Sequence, residues 1–208
     1  MLHEVYKAKR GPKALIDHFY EKVSLTDSLI VVLISFVINI LFLLILKVPE
    51  LGEMSAYMAY SSILVNWLAL GVIVFLLMYF IIGAKKLPKH PFQKVLSSLA
   101  AFRVPAIIYS IVCAVIVLVF LGSYIPVMQA VSQNPALITS TTLYPTLTTL
   151  NIIGIILFAL FSLVFLGYVL VMFYEFSEII FDVKNPVAKI GLMILIFAII
   201  LLLSSIFL

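Results

Sequence analysis

From Val104 to Tyr174 the chain carries no Asp, Glu, Lys, Arg or His. A run of that length offers water no polar face, so its apolar surface has to be covered by lipid. The rest of the chain agrees. It is 65% hydrophobic and 11% charged, with a mean hydropathy of +1.29, whereas a soluble domain is about half apolar and about a quarter charged. In hydrocarbon every backbone N–H and C=O must be satisfied internally, which leaves helices or closed barrels. The apolar stretches are continuous rather than alternating, which excludes a barrel. The predicted class is an all-α integral membrane bundle.

The Val104–Tyr174 run exceeds one span of about 20 residues. It breaks at "GSYIPVMQAVSQNPALITSTTLYPTLTTLN", where Gly, Pro, Ser, Thr, Asn and Gln cluster. This predicts spans at 104–121 and 152–174, joined by an uncharged 122–151 connection that reads equally as loop, lid or binding surface. Further spans are predicted at 28–46, 62–84 and 187–208, five in one domain covering 1–208. Residues 1–27 form a tail with an interfacial helix. The first apolar run ends in Lys47-Val48-Pro49-Glu50 without a small-residue cleavage pattern, so it reads as a retained span.

Five spans place the two ends on opposite sides, and the cations choose which. Lys7, Lys9, Arg10, Lys13 and Lys22 precede the first span. Lys85, Lys86, Lys89, Lys94 and Arg103 lie between the second and third, and Lys184 and Lys189 between the fourth and fifth. The opposite side holds Lys47 alone. The positive-inside rule then predicts a cytoplasmic N-terminus and an extracytoplasmic C-terminus. The net charge of +4 is accounted for by this asymmetry, and nucleic acid is not an expected partner.

The tail segment "GPKALIDHFYEKVSLTD" starts with Pro12, a good first helical position. Leu15, Phe19 and Val23 share one side, while Lys13, Asp17 and Glu21 fall on another. Two readings stay open: a helix on the membrane surface, or one packed on the bundle. Thr26 or Asp27 is the expected cap of the first span.

Signals for chemistry are few. His3, His18 and His90 lie in polar segments, none four residues from another, and neither an H-E-x-x-H helix nor a G-x-S-x-G elbow occurs. The interiors of the predicted spans hold no Asp, Glu, Lys, Arg or His, although such groups are the usual marks of ion paths and proton relays. No catalytic residue, metal or cofactor is expected. Cys113 reads as a small packing residue. Asn39, Asn66 and Asn151 read as hydrogen-bonding glue between helices, and Ala106, Ser110 and Ala114 as a small-residue packing ridge. Trp67 reads as an interface anchor or a packed core residue.

Two polar stretches remain. In Leu87–Ile108 a helix is predicted over Phe92–Phe102, with Lys94 and Arg103 near headgroups and Pro105 starting or kinking the third span. It reads as a docking or lipid-contact loop, or as a topology determinant. In "FYEFSEIIFDVKNPVAKIG", Glu175, Glu178 and Asp182 fall within about 60° of one another on a helical wheel. They are expected to form a solvated face, paired with Lys94 or Arg103. The helix is expected to end near Asn185, which then caps the fifth span ahead of Pro186. Lys94, Arg103, Glu175, Glu178 and Asp182 together make the candidate cytoplasmic interaction surface.

The layout resembles the Yip family of five-span, Ypt/Rab-interacting-type membrane proteins. The likeness runs through "PKALIDHFYE" ahead of the first span, "AAFRVPAII" into the third and "YEFSEIIFDVKNPVAKIGLMILI" between the fourth and fifth. It covers about Pro12 to Leu208 and is one of pattern rather than rigid motif. It implies a non-enzymatic protein of membrane organisation or protein interaction, in contact with lipid, other membrane proteins or its own copies. Eukaryotic members bind small GTPases through a long cytoplasmic region. The segment ahead of the first span here is short, so the chain is similar to a prokaryotic plasma-membrane member, and a GTPase partner is expected only if the eukaryotic role carries over. Two rival functions are kept. A small transporter or channel subunit would line a cavity with Asn39, Asn66 and Asn151. A headgroup-modifying enzyme would gather the three acids near His90.

Overall fold

The computed structural model describes residues 11–46, 53–83, 86–125 and 148–207. His3, Lys7, Lys9, Arg10, Lys47, Lys85 and most of the 122–151 connection lie outside the described residues. Among those described there are only helices, with one short 3₁₀ turn at Gly122–Tyr124. The helices are α1 (Pro12–Lys22), α2 (Leu25–Leu46), α3 (Glu53–Ile82), α4 (Pro91–Ala101), α5 (Arg103–Phe120), α6 (Thr149–Phe181) and α7 (Pro186–Phe207). Among the described residues, three helical segments are long and apolar enough to cross a membrane: Ile63–Ile82, Pro91–Phe120 and Thr149–Phe181. Leu25–Leu41 and Pro186–Ile200 are shorter apolar stretches.

Local chemistry explains the helix ends. Ser24, not Thr26 or Asp27, caps α2. Its Oγ accepts from the Asp27 backbone N–H at 3.1 Å and donates to the Asp27 carboxylate at 2.7 Å. The Ser-x-x-Asp spacing ahead of an apolar run is a recognised start signal. Gly83 stops α3 with φ +82 and its N–H on the Tyr79 carbonyl, a conformation that costs glycine little. Thr148 and Asn151 form a reciprocal capping box at the start of α6. That helix stops at Phe181 rather than near Asn185, because Asp182 adopts the left-handed conformation at φ 52. Asn185 does cap α7, its Oδ1 accepting from the Val187 N–H at 2.9 Å.

The buried core gathers at the end of the bundle that holds α1 and α4. Val95 to Ala101 are all buried, so α4 is enclosed on every side. It packs against α1, α2 and α3 and runs into α5 through Phe102, whose backbone stays helical. Its small residues Ser97, Ser98, Ala100 and Ala101 let these neighbours approach closely. Phe102 stacks onto α6, with ring centroids 4.5 Å from Phe173 and 5.6 Å from Phe176. Pro105 falls in the first turn of α5, where no intrahelical N–H is needed. Farther along, α6 turns apolar side chains outward from Ile155 to Leu160, as a lipid-facing helix should.

Two seams hold α5 in place. On one side Ser110, the centre of the small-residue ridge, donates to Asn39 Oδ1 on α2 at 3.4 Å. On the other, Tyr109 stacks on Phe161 and Phe165 and shares a 2.9 Å hydrogen bond with Ser162 of α6. At the far end Asn151 reaches back to α5, donating to the Phe120 carbonyl at 2.7 Å. Gly154 packs beside it, and a Cβ there would stand 2.4 Å from Phe120 Cβ.

Candidate functional site

The five residues of the expected interaction surface separate into four environments. Glu175 and Glu178 lie on the turn of α6 that α1 covers. Lys13 of α1 is 2.5 Å from Glu178 and 3.8 Å from Glu175. Lys189, in the first turns of α7, closes on the other Glu178 oxygen and lies over the Tyr174 ring. Glu178 therefore ties α1, α6 and α7 together. The expected pairing with Lys94 or Arg103 is corrected. Lys94 instead sits 4.3 Å over the Tyr20 ring of α1, a cation–π contact. Asp182 is exposed at the end of α6. The acids are consequently not one solvated face: with side-chain exposures of 21% and 28%, Glu175 and Glu178 are partly covered.

The same contacts decide between the two readings of α1. Leu15, Ile16 and Phe19 are buried, and α1 packs on α4 and α6. It is a bundle helix. Its polar side responds to that packing. The hydrogen bond to Glu178 holds the Lys13 ammonium above the usual lysine value. Burial pushes the Asp17 carboxyl up, against the pull of Lys13, and pushes the Tyr20 phenol up as well.

Arg103 has a different setting. It falls inside the apolar segment Pro91–Phe120 and lines a cavity of about 340 Å³. It stands immediately before the predicted third span, in a segment that is apolar on either side of it. Among the described residues no carboxylate pairs with it.

Asn66 of α3 lines the same cavity, and its Oδ1 is buried with no hydrogen-bond partner among the described residues. Asn39 and Asn151 do hydrogen-bond between helices, as expected. Trp67 is a core residue, 5% exposed, and donates its Nε1–H to the Leu96 carbonyl at 3.0 Å. Phe102, Phe165, Val169, Phe173, Phe197 and Ile200 supply most of the remaining wall. The three asparagines do not meet in one cavity, as the transporter reading expects. Among the described residues, no three His, Cys, Asp or Glu side chains converge in a way that would hold a metal ion.

Sequence reasoning missed Lys13 and Lys189 as partners of Glu178, and missed that Asn66 and Arg103 line one cavity. The first had a faint signal, since Lys13 lies on the polar side of an amphipathic helix. The second had none, because Asn66 lies well before Arg103 in the chain and only the packing of α3 on α4 puts both on one cavity wall. No protein-family model, no curated protein and no solved structure matches the chain.

Proposed function

We propose that the chain is a five-span, Yip-like integral membrane protein without enzymatic activity, acting in membrane organisation or protein interaction. In this reading α2, α3, the α4–α5 segment, α6 and α7 each cross the bilayer. The N-terminus is cytoplasmic, the C-terminus extracytoplasmic, and the setting a prokaryotic plasma membrane. The observation that carries the reading is the use made of the acidic residues. Glu178 is spent on Lys13 and Lys189, clasping α1 to the bundle, instead of facing an open site where a substrate would react. A clasp of this kind builds a scaffold with a defined cytoplasmic end. Of the residues singled out from the sequence, Asp182 remains exposed there, and Lys184 two residues on is exposed as well.

A photo-crosslinking amino acid at Asp182, used in intact membranes, tests this reading. Discrete protein adducts, whether with another membrane protein or a second copy of the chain, are the expected result. Adducts with lipid alone would remove the protein-interaction role.

A further inference from the structure

The cavity between α3, α4, α6 and α7 holds two polar groups whose needs are unmet. Arg103 offers up to five N–H donors and a permanent positive charge. Asn66 Oδ1 offers an acceptor that is buried and unpartnered. The other polar atom in the wall, Trp67 Nε1, is already used by the Leu96 carbonyl. Everything else is apolar. At about 340 Å³ the space falls within the roughly 300–1,000 Å³ usual for small-molecule sites.

Each feature restricts the occupant. A neutral apolar molecule leaves the arginine charge uncompensated. Water alone satisfies the hydrogen bonds but supplies no counter-charge. A phosphate matches a guanidinium with two parallel hydrogen bonds. Asn66 Oδ1 additionally asks for a donor, which a headgroup hydroxyl provides and a simple carboxylate does not. The apolar wall continues along α6 and α7 through Phe165, Val169, Phe197 and Ile200. Phe197 is itself 39% exposed, so this side is open toward the apolar outer surface of the bundle.

We propose that this cavity binds the headgroup of an anionic phospholipid. Arg103 holds the phosphate, Asn66 Oδ1 accepts from a headgroup hydroxyl, and an acyl chain leaves past Phe165 and Phe197. The bound lipid supplies the counter-charge that the described residues do not place beside Arg103. The site is independent of the α1 clasp and does not rest on the protein-interaction reading above.

The test uses the full chain in a neutral detergent, titrated with phosphatidylglycerol, phosphatidylcholine or oleate and followed by native mass spectrometry. Phosphatidylglycerol should bind at least about ten-fold more tightly than either alternative, because oleate lacks the phosphodiester and phosphatidylcholine carries a cation beside its phosphate in place of the headgroup hydroxyls. Arg103→Gln should erase that preference, and Val169→Trp should block binding by filling the cavity while leaving Arg103 in place. A photoreactive phosphatidylglycerol on the unmodified chain should label peptides containing Phe165 or Phe197, a result that needs no variant to fold. Equal binding of phosphatidylglycerol and phosphatidylcholine would overturn the proposal. So would equal binding of oleate, which would make the ligand a free carboxylate amphiphile. Labelling confined to α1, or a preference that survives Arg103→Gln, would mean that surface cations hold the lipid instead.

Discussion

Glu178 accepts from Lys13 and Lys189 at once, and this double use makes α1 sensitive to the charge of a single ammonium. The folded Lys13 is raised above the ordinary lysine value of 10.5, chiefly by its hydrogen bond to Glu178. A raised base stabilises the fold fully below its unfolded value and loses that contribution as pH climbs through the raised one. Docking of α1 should therefore hold from neutral pH up to about 10.5 and weaken above it. Asp17 and Glu175 also face Lys13 and act in the same direction. Limited proteolysis within α1 across an alkaline pH series measures this. In Glu178→Gln the cleavage rate should already be raised at neutral pH, and the alkaline step should shrink. Most of these residues stood out in the sequence because charges are rare in it. Their partners did not, because one carboxylate can reach any cation that the fold brings within a few ångströms.

The helices follow from patterns with a local cause. Continuous apolar runs predicted their positions, and Asn185 before Pro186 predicted the start of α7. The boundary at Asp182 escaped, since a left-handed aspartate is one of several endings that the same residues permit. What packs on α1 is a question between elements. Ile16 is fully buried, so Ile16→Ala should cost roughly 2–5 kcal/mol, read as a lowered melting temperature in detergent. A helix merely resting on lipid would show little change in that melt. The α5–α6 seam has the opposite sensitivity, to added volume. A side chain at Gly154 meets Phe120 Cβ at 2.4 Å, an atom too close to the backbone to swing aside. Gly154→Leu should destabilise by about 1–3 kcal/mol through overpacking, measured by unfolding in a denaturing detergent, whereas Gly167→Leu, with open space at its Cβ, should be close to neutral.

Across the whole molecule, the five-span arrangement makes a distinct expectation for sidedness. In a Cys113→Ala background, single cysteines at Ser24 and Lys184 should react with an impermeant thiol reagent only after the membrane is opened, while one at Thr148 should react in intact cells. Thr148 and Lys184 reacting from the same side would end that topology. The helical class and the long apolar segments were legible in the residues alone, because hydrocarbon forces backbone bonds to close within each segment. The fate of α1 and the setting of Arg103 were not. An amphipathic helix has the same pattern whether lipid or protein covers its apolar side. An arginine at the start of an apolar run looks the same whether it points to headgroups or into the bundle. Both outcomes depend on which distant surfaces come together, α4 and α6 against α1 in one case and the cavity wall shared by Asn66 and Arg103 in the other, and packing between helices settles that rather than any property of a single segment.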